Sequence, residues 1–140
     1  MKTNVLFLCT GNSCRSQMAE AFLRAFAGDS FMVYSAGLEP GVINPWTYRA
    51  MAELGYDLAG QRSKHVNEYQ GVVDFDYVIT VCDDADRNCP AFLGRARHRL
   101  HWGFEDPATF VGAEEETRAK FGEVRDTIAS RLKMWLDAEG

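Results

Sequence analysis

The chain has no stretch long and apolar enough to cross a membrane, and its apolar run at residues 5–8 is too short for the core of a signal peptide. A cytoplasmic protein is expected. Positive charge is not in excess either: 15 Lys and Arg stand against 20 Asp and Glu, a formal net charge of −5. Such a field repels nucleic acid and anionic surfaces, so any anion has to be captured by a local arrangement. No repeat, linker or low-complexity segment interrupts the 140 residues, and 46% hydrophobic with 25% charged residues fits one domain over residues 1–140. Histidine is scarce: His65, His98 and His101 form no triad and are read as structural. Four cysteines in a reducing compartment do not make a disulfide framework. Each is then buried, catalytic or metal-bound.

What the chain does have is VLFLCTGNSCRS at residues 5–16. Four apolar residues read as a short buried strand. A polar loop follows, with Gly11 and Asn12, two residues that tolerate unusual backbone angles. A pattern of helical period then begins. Within the loop, five residues separate Cys9 from Arg15. A strand–loop–helix connection of this kind turns successive N–H groups inward as an anion nest, and the helix N-terminus adds partial positive charge. A cysteine facing that potential is expected to have a lowered pKa. Arg15 can grip two oxygens of a tetrahedral anion, and Ser16 can donate a hydrogen bond to the Cys9 sulfur. The chemistry this suggests is a thiolate attacking the central atom of an oxyanion held by Thr10, Gly11, Asn12, Ser13, Cys14 and Arg15. A nucleotide-binding loop is excluded, because no Gly-Lys-Ser/Thr follows the glycine.

The rest of the chain alternates strand and helix. Met18, Phe22 and Phe26, widened by Ala21 and Ala25, predict a helix stopped by Gly28 at a C′ position. Residues 31–36 read as a strand. Asn44 caps a helix with Pro45 at its first position, closed by Gly55. Residues 63–70 suggest a short helix, and residues 77–81, YVITV, a strand covered on both faces. Residues 95–102 alternate Ala96, His98, Leu100 and Trp102 with Arg95, Arg97, Arg99 and His101, as in an edge strand, where arginine discourages sheet-to-sheet pairing. A last helix from Glu114 buries Phe121, Val124, Ile128, Leu132 and Trp135. The expected fold is α/β, a flavodoxin-like four-stranded parallel sheet in the order 2-1-3-4 with helices on both faces. Cys9 then lies at the C-terminal edge of the sheet, beside the switch point. Cys82 follows the neighbouring third strand and should be near it.

CTGNSCRS followed by QMAEAF resembles the active-site loop shared by low-molecular-weight protein tyrosine phosphatases and thioredoxin-coupled arsenate reductases, whose phosphotyrosine phosphatase I-like fold agrees with this reading. The stretch CDDADRNCP, with Cys82 and Cys89, and HWGFEDPA at residues 101–108 resemble the reductases. Gln17, where the phosphatases usually carry proline, points the same way. The resemblance implies arsenate reduction by a three-thiol relay: Cys9 attacks arsenic, Cys82 attacks Cys9 as arsenite leaves, and Cys89 resolves the disulfide into Cys82–Cys89 for thioredoxin to reduce. Seven helical steps would separate Cys82 and Cys89 by about 10 Å, beyond the ~4.4–6.8 Å of a disulfide. The segment therefore has to rearrange on oxidation. The alternative within the family is a phosphatase hydrolysing phosphotyrosine through a Cys9 phosphoenzyme. Outside it, Cys82 and Cys89 could be inert core residues, or could join His98 and His101 around zinc in a binding module. No bound cofactor and no metal are expected.

The resemblance also makes Asp106, in the pair Asp106-Pro107, the general acid, which calls for burial beside the anion. Cys14 is read as packing under the loop, with backup redox chemistry as a second use. Some reductases of this type hold a monovalent cation with asparagine, glutamate, serine and aspartate. Asn12, Glu20 and Ser35 match, but Lys64 stands at the aspartate position, so the cation is not carried over, and an ammonium there can fill the role itself. The expected partners are an oxyanion and thioredoxin, with no nucleic acid, no membrane and a monomeric state.

Overall fold

The structure is a computed structural model that describes residues 2–139. Strand β1 (Thr3–Cys9) grows from the apolar run and is its centre: Val5, Leu6, Phe7 and Leu8 have no exposed surface. Burying such side chains contributes about 1.5–3 kcal/mol each relative to exposure. β1 pairs in parallel with β2 (Phe31–Gly37) on one side and β3 (Tyr77–Thr80) on the other, and β4 (His98–His101) pairs in parallel with β3. The order is β2-β1-β3-β4, as the alternation of elements required. β4 is the exposed edge, with His98, Arg99 and His101 open to solvent, and is shorter than the alternating stretch that announced it.

Helix α1 (Arg15–Ala27) buries Met18, Ala19, Phe22 and Leu23, whereas Ala25, placed on the stripe by sequence, is exposed. Gly28 is also not a left-handed cap: its φ is −60°. A Cβ there would lie 2.5 Å from the Arg24 carbonyl oxygen, so glycine serves a close approach. Helix α2 (Pro45–Ala52) starts as expected, with the Asn44 side chain accepting from Trp46 N–H at 2.8 Å, and Gly55 follows it at φ +85°. The segment 63–70 is a single 3₁₀ turn (Val66–Tyr69) whose Tyr69 packs against Tyr34 and Phe75.

The short helix α3 (Asp83–Arg87) follows β3, and α4 (Glu114–Glu139) closes the fold, burying the five apolar residues of its stripe and also Arg125. Trp135 of α4 packs on Phe31, Tyr77 and Trp102, and Trp102 packs on Phe7. The last helix is thereby anchored across strands β1, β2 and β3. This leaves the C-terminal sheet edge free for the loop between β1 and α1. None of the described helices is long and apolar enough to cross a membrane.

Candidate active site

The loop after β1 is shaped by where its carbonyls go. Thr10 O accepts from Glu39 N–H (2.8 Å), Gly11 O from Ser63 Oγ (3.0 Å), and Asn12 O from Gln17 Nε2 (3.0 Å). Ser13 O accepts from Asn44 N–H and Thr47 Oγ1, and Cys14 O from Met18 N–H. Every carbonyl from residue 10 to 14 is thus tied into the surrounding protein. Among the described residues, no acceptor is found for the N–H groups of Gly11, Asn12, Ser13, Cys14 and Arg15. Five donors in succession with their carbonyls drawn away make an anion nest.

Asn12 supplies the turn. It is fully buried at φ +49°, the only non-glycine residue at positive φ among those described. Gly11, expected to share that freedom, does not use it. The glycine the loop does require is Gly37 of β2. A Cβ there would stand 2.6 Å from Thr10 O and 3.0 Å from the Asn12 backbone N.

A cleft of about 490 Å³ opens over the nest, lined by Cys9, Gly11, Ser13, Arg15, Cys82 and Asp106 among others. Cys9 is 4% exposed at the end of β1. Arg15, first residue of α1, donates from Nη1 to Phe104 O (3.1 Å), and its Nη2 lies 3.5 Å from Asp106 Oδ2. Its buried Nε has no protein partner, so the guanidinium keeps N–H donors free for a ligand. Two expected residues do not face the cleft. Asn12 and Ser16 are both fully buried, and Asn12 Nδ2 donates to Ser16 Oγ at 2.8 Å. Ser16 is therefore engaged by Asn12 and not by the Cys9 sulfur.

Cys82 comes to Cys9 as the strand order required: both line the cleft, close enough for each to shift the other's pKa. The expected low pKa of Cys9 is not what this arrangement gives. The neighbouring Cys82 and burial push the Cys9 thiol up, against the pull of Arg15. Cys82 is instead lowered to about 5, first by the neighbouring Cys9, then by Thr10 Oγ1 at 3.4 Å and Ala85 N–H at 3.4 Å. Cys82 caps α3, so the charge sits at a helix start. The pair holds one proton and one thiolate near neutral pH.

Cys89 lies beyond the other end of α3, half-buried and unpaired; burial raises its pKa, with Arg99 opposing. Burial likewise raises Cys14, which is 4% exposed and lines the cleft instead of lying wholly under the loop. Asp106 is not buried as an acid beside the anion would be: its side chain is 34% exposed and its Oδ1 caps a 3₁₀ turn by accepting from Ala108 N–H.

Asp84 was not anticipated. Its carboxylate accepts from Thr10 Oγ1 at 2.7 Å on the cleft wall, two residues after a cysteine already marked. The two histidines of the zinc alternative are engaged elsewhere: His98 stacks on Tyr77, and His101 bonds Thr80 and Asp83.

Beneath the loop, the oxygens of the monovalent-cation set surround the Lys64 ammonium. Nζ lies 3.4 Å from Asn12 Oδ1, 3.2 Å from Ser35 Oγ, 2.8 Å from Arg62 O and 3.8 Å from Glu20 Oε1. Burial lowers its pKa from the ordinary value, and the Glu20 carboxylate opposes that. A soluble cation does not fit a site already filled by a fixed positive charge.

The model of the low molecular weight phosphotyrosine protein phosphatase family matches residues 4–139. The chain belongs to that family. Within it, the arsenate reductase of Bacillus subtilis (strain 168) is 46% identical over 129 residues, covering 92% of this chain and 91% of that protein. A solved structure of an arsenate reductase in the phosphate binding state superposes with a TM-score of 0.81 at 31% identity, over 99% of this chain and 98% of the other. The thioredoxin-dependent arsenate reductase of Corynebacterium glutamicum gives 0.64 at 30% identity, over 95% of this chain and 61% of the other.

Proposed function

We propose that this family member is a cytoplasmic, monomeric arsenate reductase whose electrons come from its own thiols and are replenished by thioredoxin. The observation that carries the proposal is that Cys9 and Cys82 line one cleft at an oxyanion nest, with a third free thiol, Cys89, across a five-residue helix. Hydrolysis needs only the first of these thiols. Reduction needs a second within reach, because one thiolate cannot deliver two electrons and leave as a disulfide.

The steps balance as follows. The nest and Arg15 hold arsenate, and the Cys9 proton passes to the Cys82 thiolate, leaving Cys9 as nucleophile. Cys9 Sγ bonds to arsenic as an As–O bond breaks, and the departing oxygen takes a proton from Asp106. Cys82 releases that proton to water in the cleft and, as thiolate again, attacks Cys9 Sγ. The S–S bond forms, the S–As bond breaks, and its electron pair stays on arsenic, which leaves as arsenite. Cys89 then attacks Cys82 Sγ and expels the Cys9 thiolate. The Cys82–Cys89 disulfide that remains is reduced by an external dithiol. The phosphatase alternative shares the first step and has water attack in place of Cys82.

Single-turnover assays separate the two. Cys89→Ser is expected to release one equivalent of arsenite and stall with Cys9 joined to Cys82. Cys82→Ser is expected to release none, while still hydrolysing an aryl phosphate slowly through Cys9, Arg15 and Asp106. Repeated arsenate turnover by both variants at the wild-type rate would overturn the relay.

A further inference from the structure

Lys64 is the buried charge that the thiol chemistry leaves unused. It is 8% exposed, and it reaches the loop from below, not from the cleft. Its backbone N–H and its ammonium both donate to one atom, Asn12 Oδ1, at 3.0 and 3.4 Å. Asn12 uses its other side-chain atom, Nδ2, on Ser16 and Ser35, at 2.8 and 3.0 Å. The residue that bends the nest at positive φ is therefore clamped on both ends of its amide. A non-glycine residue in this conformation is held there by its surroundings. The negative side of the clamp is Glu20, 5% exposed, which accepts from Ser35 Oγ and pairs with Arg24 at 2.7 Å. Without a cation at the centre, three oxygen atoms (Asn12 Oδ1, Ser35 Oγ and Arg62 O) and the buried Glu20 carboxylate would face one another, with only the Lys64 N–H left to hold Asn12 Oδ1.

We propose that Lys64 is a tethered cation that positions the oxyanion loop through Asn12, in place of any soluble monovalent ion. It touches no substrate and is a positioning residue. The proposal rests on the reading of the loop as an oxyanion cradle, and is independent of whether the bound anion is reduced.

The test is phosphate affinity, measured by calorimetry with tetramethylammonium as the only buffer cation and then with potassium or methylammonium added. Wild-type affinity is expected to be the same in all three. Lys64→Ala, which opens a space among the oxygens, is expected to bind phosphate about tenfold more weakly in tetramethylammonium, the scale of a lost charged hydrogen bond. Potassium or methylammonium should restore it. Lys64→Met, which fills the space without charge, should bind weakly and show no rescue. If Lys64→Ala does not fold in tetramethylammonium, recovery of a cooperative thermal transition with either small cation supports the proposal equally. Wild-type affinity in Lys64→Ala without added cation, or a loss that neither cation repairs, would overturn it. Failure of the cradle reading itself would look different, since the wild-type protein would then not bind phosphate at all.

Discussion

The loop at residues 9–16 and the segment at residues 82–90 carry the four cysteines, yet they are built on opposite plans. The loop is framed by residues with no exposed surface (Asn12, Ser16 and Gln17) and by carbonyls tied to α1, to the start of α2 and to residues 39 and 63. The second segment holds a helix of five residues, with Asp83, Arg87 and Asn88 exposed. Its links to β4 lie at the surface: Arg99 to Asp86 at 3.3 Å and His101 to Asp83 at 3.0 Å. Exposed pairs of this kind are worth only about 0–1 kcal/mol. Binding a tetrahedral anion calls for donors fixed in advance, whereas moving Cys89 to Cys82 calls for a helix that opens cheaply. The difference in burial follows the difference in task.

The largest effect expected from breaking this comparison is at the rigid end. Cys9→Ser should lower both arsenite release and aryl phosphate hydrolysis by about three orders of magnitude or more. Thermal unfolding at pH 5, where the thiol pair contributes little to stability, should move little, because the frame of the loop does not depend on the sulfur. A variant of the mobile end, Cys89→Ser, should spare the hydrolysis entirely.

A second, intermediate effect joins the two regions through the shared proton. Cys82 at about 5 lies below its ordinary value of 9.0, so in the folded protein it loses its proton four units earlier than in the unfolded chain. Cys9 is shifted upward and keeps its proton where an unfolded thiol would lose it. Between pH 5 and 9 the unfolded state therefore binds one more proton than the folded state, and the contribution of the pair to stability rises with pH. Above 9.0 the sign reverses, because only the folded state still holds a proton. Urea unfolding of wild type and Cys82→Ser should differ increasingly from pH 5 to 8. Thiolate absorbance should show a wild-type step near 5 that the variant lacks. Cys82→Ser should also lower the pKa of Cys9, whose leading upward cause is the neighbouring Cys82.

The smallest effect sharpens the mobile side. Asp86→Asn weakens the Arg99 link without touching a thiol. It should change global stability by under about 1 kcal/mol, yet speed amide exchange at residues 84–88 several-fold. Unchanged exchange there would mean that the surface links do not hold the helix.

Much of this was legible in the chain. The buried strand, the loop with Cys9 and Arg15, the strand order and the approach of Cys82 to Cys9 all follow from apolar runs and their alternation with helices. Burial on β1 and the spacing of residues 5–16 are local properties, so sequence carries them. Asp84 on the cleft wall, Ser16 turned toward Asn12, and Gly37 giving Thr10 and Asn12 room depend on segments more than 20 residues apart or on which way one loop residue bends. Only the folded chain fixes those.

The sequence by itself determined the nucleophile, the arginine and the sheet that presents them, because each is set by residue type and short-range periodicity. Tertiary structure decided where the proton of the thiol pair sits and what occupies the space under the loop. The first depends on Cys82 meeting Cys9, Thr10 and a helix N-terminus at once. The second depends on a lysine reaching oxygens from Asn12, Ser35, Arg62 and Glu20. Charge and hydrogen-bond energies of this kind exist only between groups that folding has already brought within a few ångströms and removed from water.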